Sequence, residues 1–289
     1  MSFLTVENLT HTYGSSDKTA RAAIKDISFS LEKGKILGII GHTGSGKSTL
    51  VSHLNGLIKP TSGRILIDDN DIWSNPKEIK QIRSKVGLVF QYPEYQLFEE
   101  TVYEDIAFGP KNLGVTGDML DKVVRSAAAL MGVEDDLLNK SPFDLSGGQK
   151  RRVAIAGVLA MEPEIVVFDE PTAGLDPIGR ETIFKAIHDY QISKNATVII
   201  VSHSMEDIAA ICDMVLVLNK GTVAMYDETA KVFARYDELK ELGLDIPLIT
   251  EVFSMIKSQV KELTDYPLTV NEGVQAIVKY LNKGGSAHD

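Results

Sequence analysis

Apolar and polar positions alternate through "FLTVENLTHTY" and "IKDISFSLEKG", which predicts two early strands of an antiparallel sheet. "ILGIIG" at 36–41 breaks that alternation. It is an almost continuous apolar run ending in Gly, as a parallel strand buried on both faces requires. A helix is predicted from Lys47 to about Leu57. "SGRILIDD" reads as another exposed-type strand, and "KVGLVF" at 85–90 as another buried one. From about Gln91 to Met161 the period turns helical, most clearly in "DMLDKVVRSAAALMGV". "EIVVFDEP" (164–171) and "ATVIIVSH" (196–203) are again buried runs ending in polar groups. "MVLVLNKGTVAMYD" predicts a hairpin turning at Lys220-Gly221.

The pattern changes after about Ala234. Leu248, Val252, Phe253, Met255, Ile256, Val260 and Leu263 largely share one helical stripe. A second helix is predicted from Thr269, where Thr269 and Glu272 have capping-box spacing ahead of Val274, Ile277, Val278 and Leu281. The expected fold class is therefore α/β. It has a parallel core, an antiparallel β-subdomain and a helical insertion over about 91–161. A larger α/β unit over 1–234 is followed by a small helical unit over 235–289, expected to serve dimerisation. No internal repeat or low-complexity tract is present.

Composition narrows the function. The 289 residues carry a formal charge of −10, which disfavours broad nucleic-acid binding. The lone cysteine, Cys212, excludes a disulfide framework within the chain and, in its apolar context, reads as a small buried residue. The start of the chain lacks a signal-peptide pattern, and no run approaches the ~20 apolar residues of a membrane span. The expected place of work is the cytosol, with docking on a membrane protein left open.

Chemistry concentrates at the ends of the buried runs. "GHTGSGKST" fits G-x-x-x-x-G-K-[ST] between a strand and a helix, so its backbone N–H groups are positioned to wrap phosphates. The nucleotide candidates there are Gly41, His42, Thr43, Gly44, Ser45, Gly46, Lys47, Ser48 and Thr49. Lys47 would reach the β- and γ-phosphates, and the Ser48 hydroxyl a Mg²⁺ ion. Asp169 is a second candidate for Mg²⁺. Glu170, one residue on, points elsewhere and is a candidate for polarising the attacking water. His203 ends a neighbouring run, with a structural role as the competing reading. Gln91 is a weak candidate for Mg²⁺ or water, and Tyr13 for stacking on adenine. "LSGGQKRR" at 145–152 looks like a second anion-facing helix start, 99 residues after Lys47.

Taken in order, "GHTGSGKST", Gln91, "LSGGQ", "VVFDEP", "AGLDP" and His203 resemble an ATP-binding-cassette (ABC) ATPase over about residues 3–233. The resemblance implies a RecA-like core and promotes Tyr13 to an adenine-stacking aromatic, Gln91 to the Q-loop glutamine, Asp176 to the D-loop aspartate and His203 to the switch histidine. It also implies two cassettes packed head to tail around two ATPs. Ser146, Gly147, Gly148 and Gln149 would then face the partner's nucleotide. "VFQYPEYQLFEETVYEDIAFGPKNLG", "GHTGSGKSTL", "RRVAIAGVLAMEPE" and the two-helix tail resemble the ATPases of energy-coupling factor importers, which take up vitamins and metal ions in prokaryotes. The Thr43 form of the phosphate loop, with "PEYQLFEETVYEDIAFGP", resembles the second of their two ATPase subunits. Lys150 departs from the residue expected there.

The implied cofactors are ATP and Mg²⁺. The implied partners are a second ABC ATPase, with a paralogue favoured over a second copy, and a transmembrane coupling subunit docking near Gln91–Asp105. A substrate-binding membrane subunit would act indirectly, and nucleic acid would have no part. Segment 91–121 carries a net six negative charges of the chain's ten. It is expected to offer an acidic groove to arginines of the coupling subunit, a solvated acidic face being the competing reading. The implied location is peripheral, on the cytoplasmic face of the cell membrane. A conventional importer cassette, or a soluble cassette outside transport, remains the alternative.

Overall fold

The computed structural model describes residues 2–14, 21–257 and 266–284. Strands β1 (Ser2–Tyr13), β2 (Arg21–Glu32) and β3 (Ile36–Ile40) lead into α1 (Lys47–Leu54). Strands β4 (Ser62–Ile67) and β5 (Asn70–Asp71), helix α2 (Ile79–Lys85) and β6 (Val86–Val89) follow. Then come α3 (Val102–Asn112), α4 (Gly117–Leu130) and α5 (Gly147–Leu159). The chain continues with β7 (Ile165–Asp169), α6 (Pro177–Lys194), β8 (Thr197–Val201), α7 (Met205–Ile211), β9 (Met214–Asn219) and β10 (Thr222–Glu228). Helices α8 (Thr229–Phe233), α9 (Tyr236–Glu241), α10 (Leu248–Lys257) and α11 (Val270–Gly284) close it.

Two sheets result. One is antiparallel, in the order β2-β1-β4-β5. The other runs β10-β9-β3-β8-β7-β6, parallel except for β10. The unbroken apolar runs are explained by burial on both faces. In β7, Val166 and Phe168 face the helices, while Ile165 and Val167 face the antiparallel sheet and α1. Strands β8 and β9 divide in the same way, at Val198/Ile200 against Ile199/Val201 and at Val215/Val217 against Leu216/Leu218. The β9–β10 hairpin turns at Lys220 and Gly221, both at positive φ (49° and 83°), the geometry of a two-residue hairpin.

Several predicted boundaries shift. Helix α1 stops at Leu54 because Gly56 turns left-handed and the Leu57 N–H closes back on the Ser52 carbonyl. The helical insertion starts late. Residues 91–101 form a loop with one 3₁₀ turn at 93–96, and α3 begins only after the Thr101 side chain caps it. The break in packing also lies later than residue 234. Val232, Phe233, Leu239, Leu244 and Ile246 belong to the same buried cluster as the parallel sheet and its helices.

Beyond that cluster, α10 and α11 meet where Gly273 sits against Ile249 and Phe253. A Cβ at Gly273 would lie 2.8 Å from Ile249. Phe253 is buried, whereas Leu248, Val252, Met255, Val274 and Leu281 are exposed. Val260 and Leu263 of the predicted stripe lie outside the described residues. The capping box at the start of α11 is shifted by one residue: the Thr269 hydroxyl accepts from the Glu272 N–H, while the Glu272 carboxylate accepts from the Leu268 N–H. Among the described residues, no helix is long and apolar enough to cross a membrane.

Candidate active site

Four adjacent parallel strands, β3, β8, β7 and β6, end at one edge of the sheet. The residues after them are the phosphate loop, His203, Asp169-Glu170 and Gln91. Fold topology therefore gathers what the sequence spreads over more than 160 positions, at the edge where open α/β sheets bind ligands. A cleft of about 970 Å³ is lined there by Tyr13, Thr43, Gly44, Gly46, Lys47, Ser48, Thr49, Gln91, Asp169, Glu170 and His203.

Glycine is required at two points of the loop. Gly41 (φ 150°) passes the Leu218 carbonyl so closely that a Cβ would lie 2.3 Å from it. Gly46 (φ 105°) begins α1 against Ile24 and the Ala23 carbonyl. The buried Lys47 ammonium donates to the Gly41 and His42 carbonyls. Burial pushes it below its ordinary value, opposed by Glu170 and Asp169. Gly41, His42 and Ser45 back the loop rather than line the cleft. The His42 ring is turned away, onto the Leu242 carbonyl just past α9, while its own carbonyl holds Lys47. Sequence reasoning missed this link to the C-terminal segment.

Burial pushes the Asp169 carboxyl up, partly offset by Lys47. Glu170 is rotated away from Asp169 by a left-handed backbone (φ 53°), an unusual conformation for a non-glycine residue. Burial, then Asp169, push its carboxyl up to about 7, against Lys47 and the backbone N–H of His203. Its Oε1 is buried without a hydrogen-bond partner and lies 3.6 Å from His203 Nε2. Burial, then Lys47 and His42, push the His203 imidazole down. Both shifts work against an ion pair between the two side chains. Tyr13 stands half exposed at the end of β1, braced edge-on by His11 (4.5 Å, 79°).

The fit to Mg²⁺ rests on the donor set. The Ser48 hydroxyl, Gln91 amide and Asp169 carboxylate line one cleft and are all oxygen donors, as a hard cation requires.

Ser146, Gly147, Gly148, Gln149 and Asp176 do not line this cleft. Ser146 caps α5 in a complete capping box with Gln149, and added Cβ atoms at Gly147 and Gly148 would meet nothing within 4 Å. Asp176 caps α6. Arg151 turns inward and is nine-tenths buried or more. It forms a two-bond ion pair with Glu94 (2.9 and 2.6 Å) and donates a third bond to the Ala173 carbonyl. Burial is the largest single influence and pushes the Glu94 carboxyl up, but the Arg151 hydrogen bonds, a backbone N–H and the Arg151 charge together hold it below its ordinary value. Only the bidentate fork of Arg, 57 positions from Glu94, makes this pairing, and no periodicity in the sequence announces it.

The acidic stretch is largely spent inside the chain. Glu94 pairs with Arg151, Glu104 with Lys111 and Asp121 with Arg125, and Asp105 accepts the Phe98 and Glu99 N–H groups. What adjoins it is an apolar groove of about 690 Å³ between α2 and helices α3 and α5. Its walls include Phe98, Phe108, Leu113, Val158 and Met161, with Lys80 and Arg83 on the α2 side. Phe98 and Phe108 meet edge to face at 4.9 Å. Of the carboxylates of 91–121, Asp105 lines this groove, with its Oδ2 buried and unpartnered.

Residues 24–173 match the ABC transporter family. The chain is 48% identical over 278 residues to the energy-coupling factor transporter ATP-binding protein EcfA2 of Clostridium tetani, with 96% of each chain covered. Among solved structures, cbiO1 of Clostridium perfringens, part of the ABC transporter complex cbiONQ, is 40% identical (TM-score 0.74; 88% of this chain and 99% of that one). The cassette MJ0796, in a dimeric post-hydrolysis state bound to ADP and Pi, is 29% identical (TM-score 0.70; 78% and 98%). Matched by relatives along nearly its whole length, the protein belongs to the ABC transporter family, among its energy-coupling factor ATP-binding subunits.

Proposed function

We propose that this chain is one half of a two-cassette ATP sandwich that drives an importer of vitamins or other micronutrients from the cytoplasmic face of the membrane. The observation that carries this reading is the exposed helix start at Ser146–Gln149, capped and open yet absent from its own chain's cleft. Its hydroxyl, N–H groups and helix dipole suit a γ-phosphate held by the second cassette. In the cleft, Tyr13 stacks on the adenine and the loop N–H groups wrap the phosphates. Lys47 exchanges its two loop carbonyls for phosphate oxygens. Ser48, Asp169 and Gln91 would hold Mg²⁺, which when bound neutralises charge on the phosphates. Glu170 takes the proton of the attacking water, and His203 orients it. Loss of the γ-phosphate removes the contact to the second cassette and the pair opens. ATP-dependent solute uptake by the assembled transporter in vesicles tests this. Uptake should need ATP and vanish with Lys47→Ala. Recovery of the chain free of any membrane subunit would favour a soluble cassette.

The second cassette is a paralogue in this reading, since the chain resembles the second of two ATPase subunits. The apolar groove beside α3 receives the membrane subunit. Phe98→Asp places a charge where an aromatic ring would be covered, forfeiting about 1.5–3 kcal/mol of apolar burial. Pull-down of the membrane subunit should drop at least tenfold. Glu99→Lys with Glu100→Lys should change recovery little, because exposed charges are worth ~0–1 kcal/mol. The reverse ranking in the same assay would return docking to the acidic residues.

The exposed apolar side of α10 and α11 supports a role in holding the two cassettes together without nucleotide. Deleting 247–289, after Ile246, the last buried member of the cluster around the parallel sheet, should leave ATP binding intact and weaken nucleotide-free pairing at least tenfold. Sedimentation of the truncated pair matching that of the full-length pair would reject it.

A further inference from the structure

We infer that Arg151 is a positioning residue that ties the apolar groove to both sides of the ATP site, through Glu94 to Gln91 and through Ala173 to the loop carrying Glu170. The inference rests on reading that groove as the membrane subunit's seat.

Three chain segments meet on this one guanidinium. The first is the corner after β6. Gln91 lines the nucleotide cleft, Glu94 holds Arg151 by two bonds, and Gln96, Leu97 and Phe98 line the groove. Tyr92 between them is left-handed (φ 55°), its ring over the guanidinium at 5.8 Å. The second segment is α5 itself. Its first turn is the exposed Ser146–Gln149 motif, and Val153, Ala154, Gly157 and Val158 further along wall the groove. The third is the loop after β7. Arg151 donates to the Ala173 carbonyl, and the Ala173 N–H donates to the Glu170 carbonyl.

A helix inserted into the groove pushes on Phe98 and on α5 together. Separating them would strip a buried bidentate pair of its partner, a far costlier step than moving them as one body. The corner, α5 and the Glu170 loop therefore shift jointly. Lysine cannot replace this arrangement, because a single ammonium lacks the fork that serves Glu94 twice and Ala173 once.

The test uses the complete transporter in vesicles, with Glu94→Gln, Arg151→Lys and Arg151→Met. ATP binding by the isolated subunit should stay within twofold for Glu94→Gln and Arg151→Lys. In the assembled Glu94→Gln transporter, kcat should fall at least fivefold with KM for ATP within threefold, and solute moved per ATP should fall at least fivefold. Arg151→Lys should recover part of that coupling and Arg151→Met none. Coupling per assembled complex equal to wild type in Glu94→Gln would overturn the inference, as would a loss explained wholly by less assembled complex. Where Arg151→Met fails to accumulate, Glu94→Gln, which preserves volume, decides alone. Phe98→Asp separates the two readings. If it assembles normally, the docking reading falls; if it fails to assemble while Glu94→Gln couples normally, only the role of Arg151 falls.

Discussion

Glu170→Gln is expected to leave ATP binding intact and to slow hydrolysis by about 10²–10⁴-fold, the usual contribution of a positioned base. The amide keeps the side chain's shape but cannot take a proton. The same substitution should alter stability in a sign-specific way. Burial and Asp169 raise the Glu170 carboxyl from 4.5 to about 7, so the fold binds its proton more tightly than the unfolded chain does. The contribution of the group to stability therefore falls as pH rises from about 4.5 through 7, by at most about 3 kcal/mol. The neutral amide escapes that loss. Glu170→Gln should thus be more stable than wild type by about 1–3 kcal/mol at pH 8, with the gap closing toward pH 4.5. Denaturation midpoints at the two pH values measure it, and single-turnover hydrolysis measures the rate. Hydrolysis within tenfold of wild type, with the second cassette's own site disabled, would remove Glu170 from the role of base.

Gly148→Asp should have a comparable effect from outside the cleft. Gly148 is the second residue of α5, and a Cβ there meets nothing within 4 Å. A carboxylate at a helix N-terminus is itself favourable by about 0.3–1 kcal/mol, so the isolated subunit should fold and bind ATP as before. The cost appears only when a γ-phosphate from the second cassette approaches. Two like charges 4 Å apart at an effective dielectric of 20 repel by about 4 kcal/mol, roughly a 10³-fold loss. ATP-induced pairing and hydrolysis at that composite site should fall accordingly. Equal turnover by wild type and Gly148→Asp pairs would show that the exposed motif does not meet nucleotide.

Much of the site was legible because chemistry sat at the ends of strands that the apolar pattern made obvious. "IVVFDE" shows both that its strand is buried and that Asp169 emerges at its end. Ser146 was legible as a helix start because capping is local. Contacts between distant segments were not. The pairing of Arg151 with Glu94 depends on how α5 lies across the corner after β6, and "KRR" shows three similar cations without saying which one turns inward. The net charge over 91–121 counts Lys111 but not Arg125 and Arg151, which lie outside the segment yet pair with its Asp121 and Glu94. Residue 234 was a reasonable break from composition, but Leu239, Leu244 and Ile246 return to the core.

The order of strands in the parallel sheet bears on how the protein is made. Strand β3, ending at Ile40, lies between β8, which starts at Thr197, and β9. At ordinary synthesis rates of ~5–20 residues per second, β3 waits about 10–30 s before either neighbour exists. During that interval a strand apolar on both faces has two unpaired edges, a hazard for aggregation. Residues 36–40 are therefore the segment of the nascent chain most in need of a chaperone. The complete nucleotide cleft is equally late, since Asp169, Glu170 and His203 follow the phosphate loop by more than 110 positions.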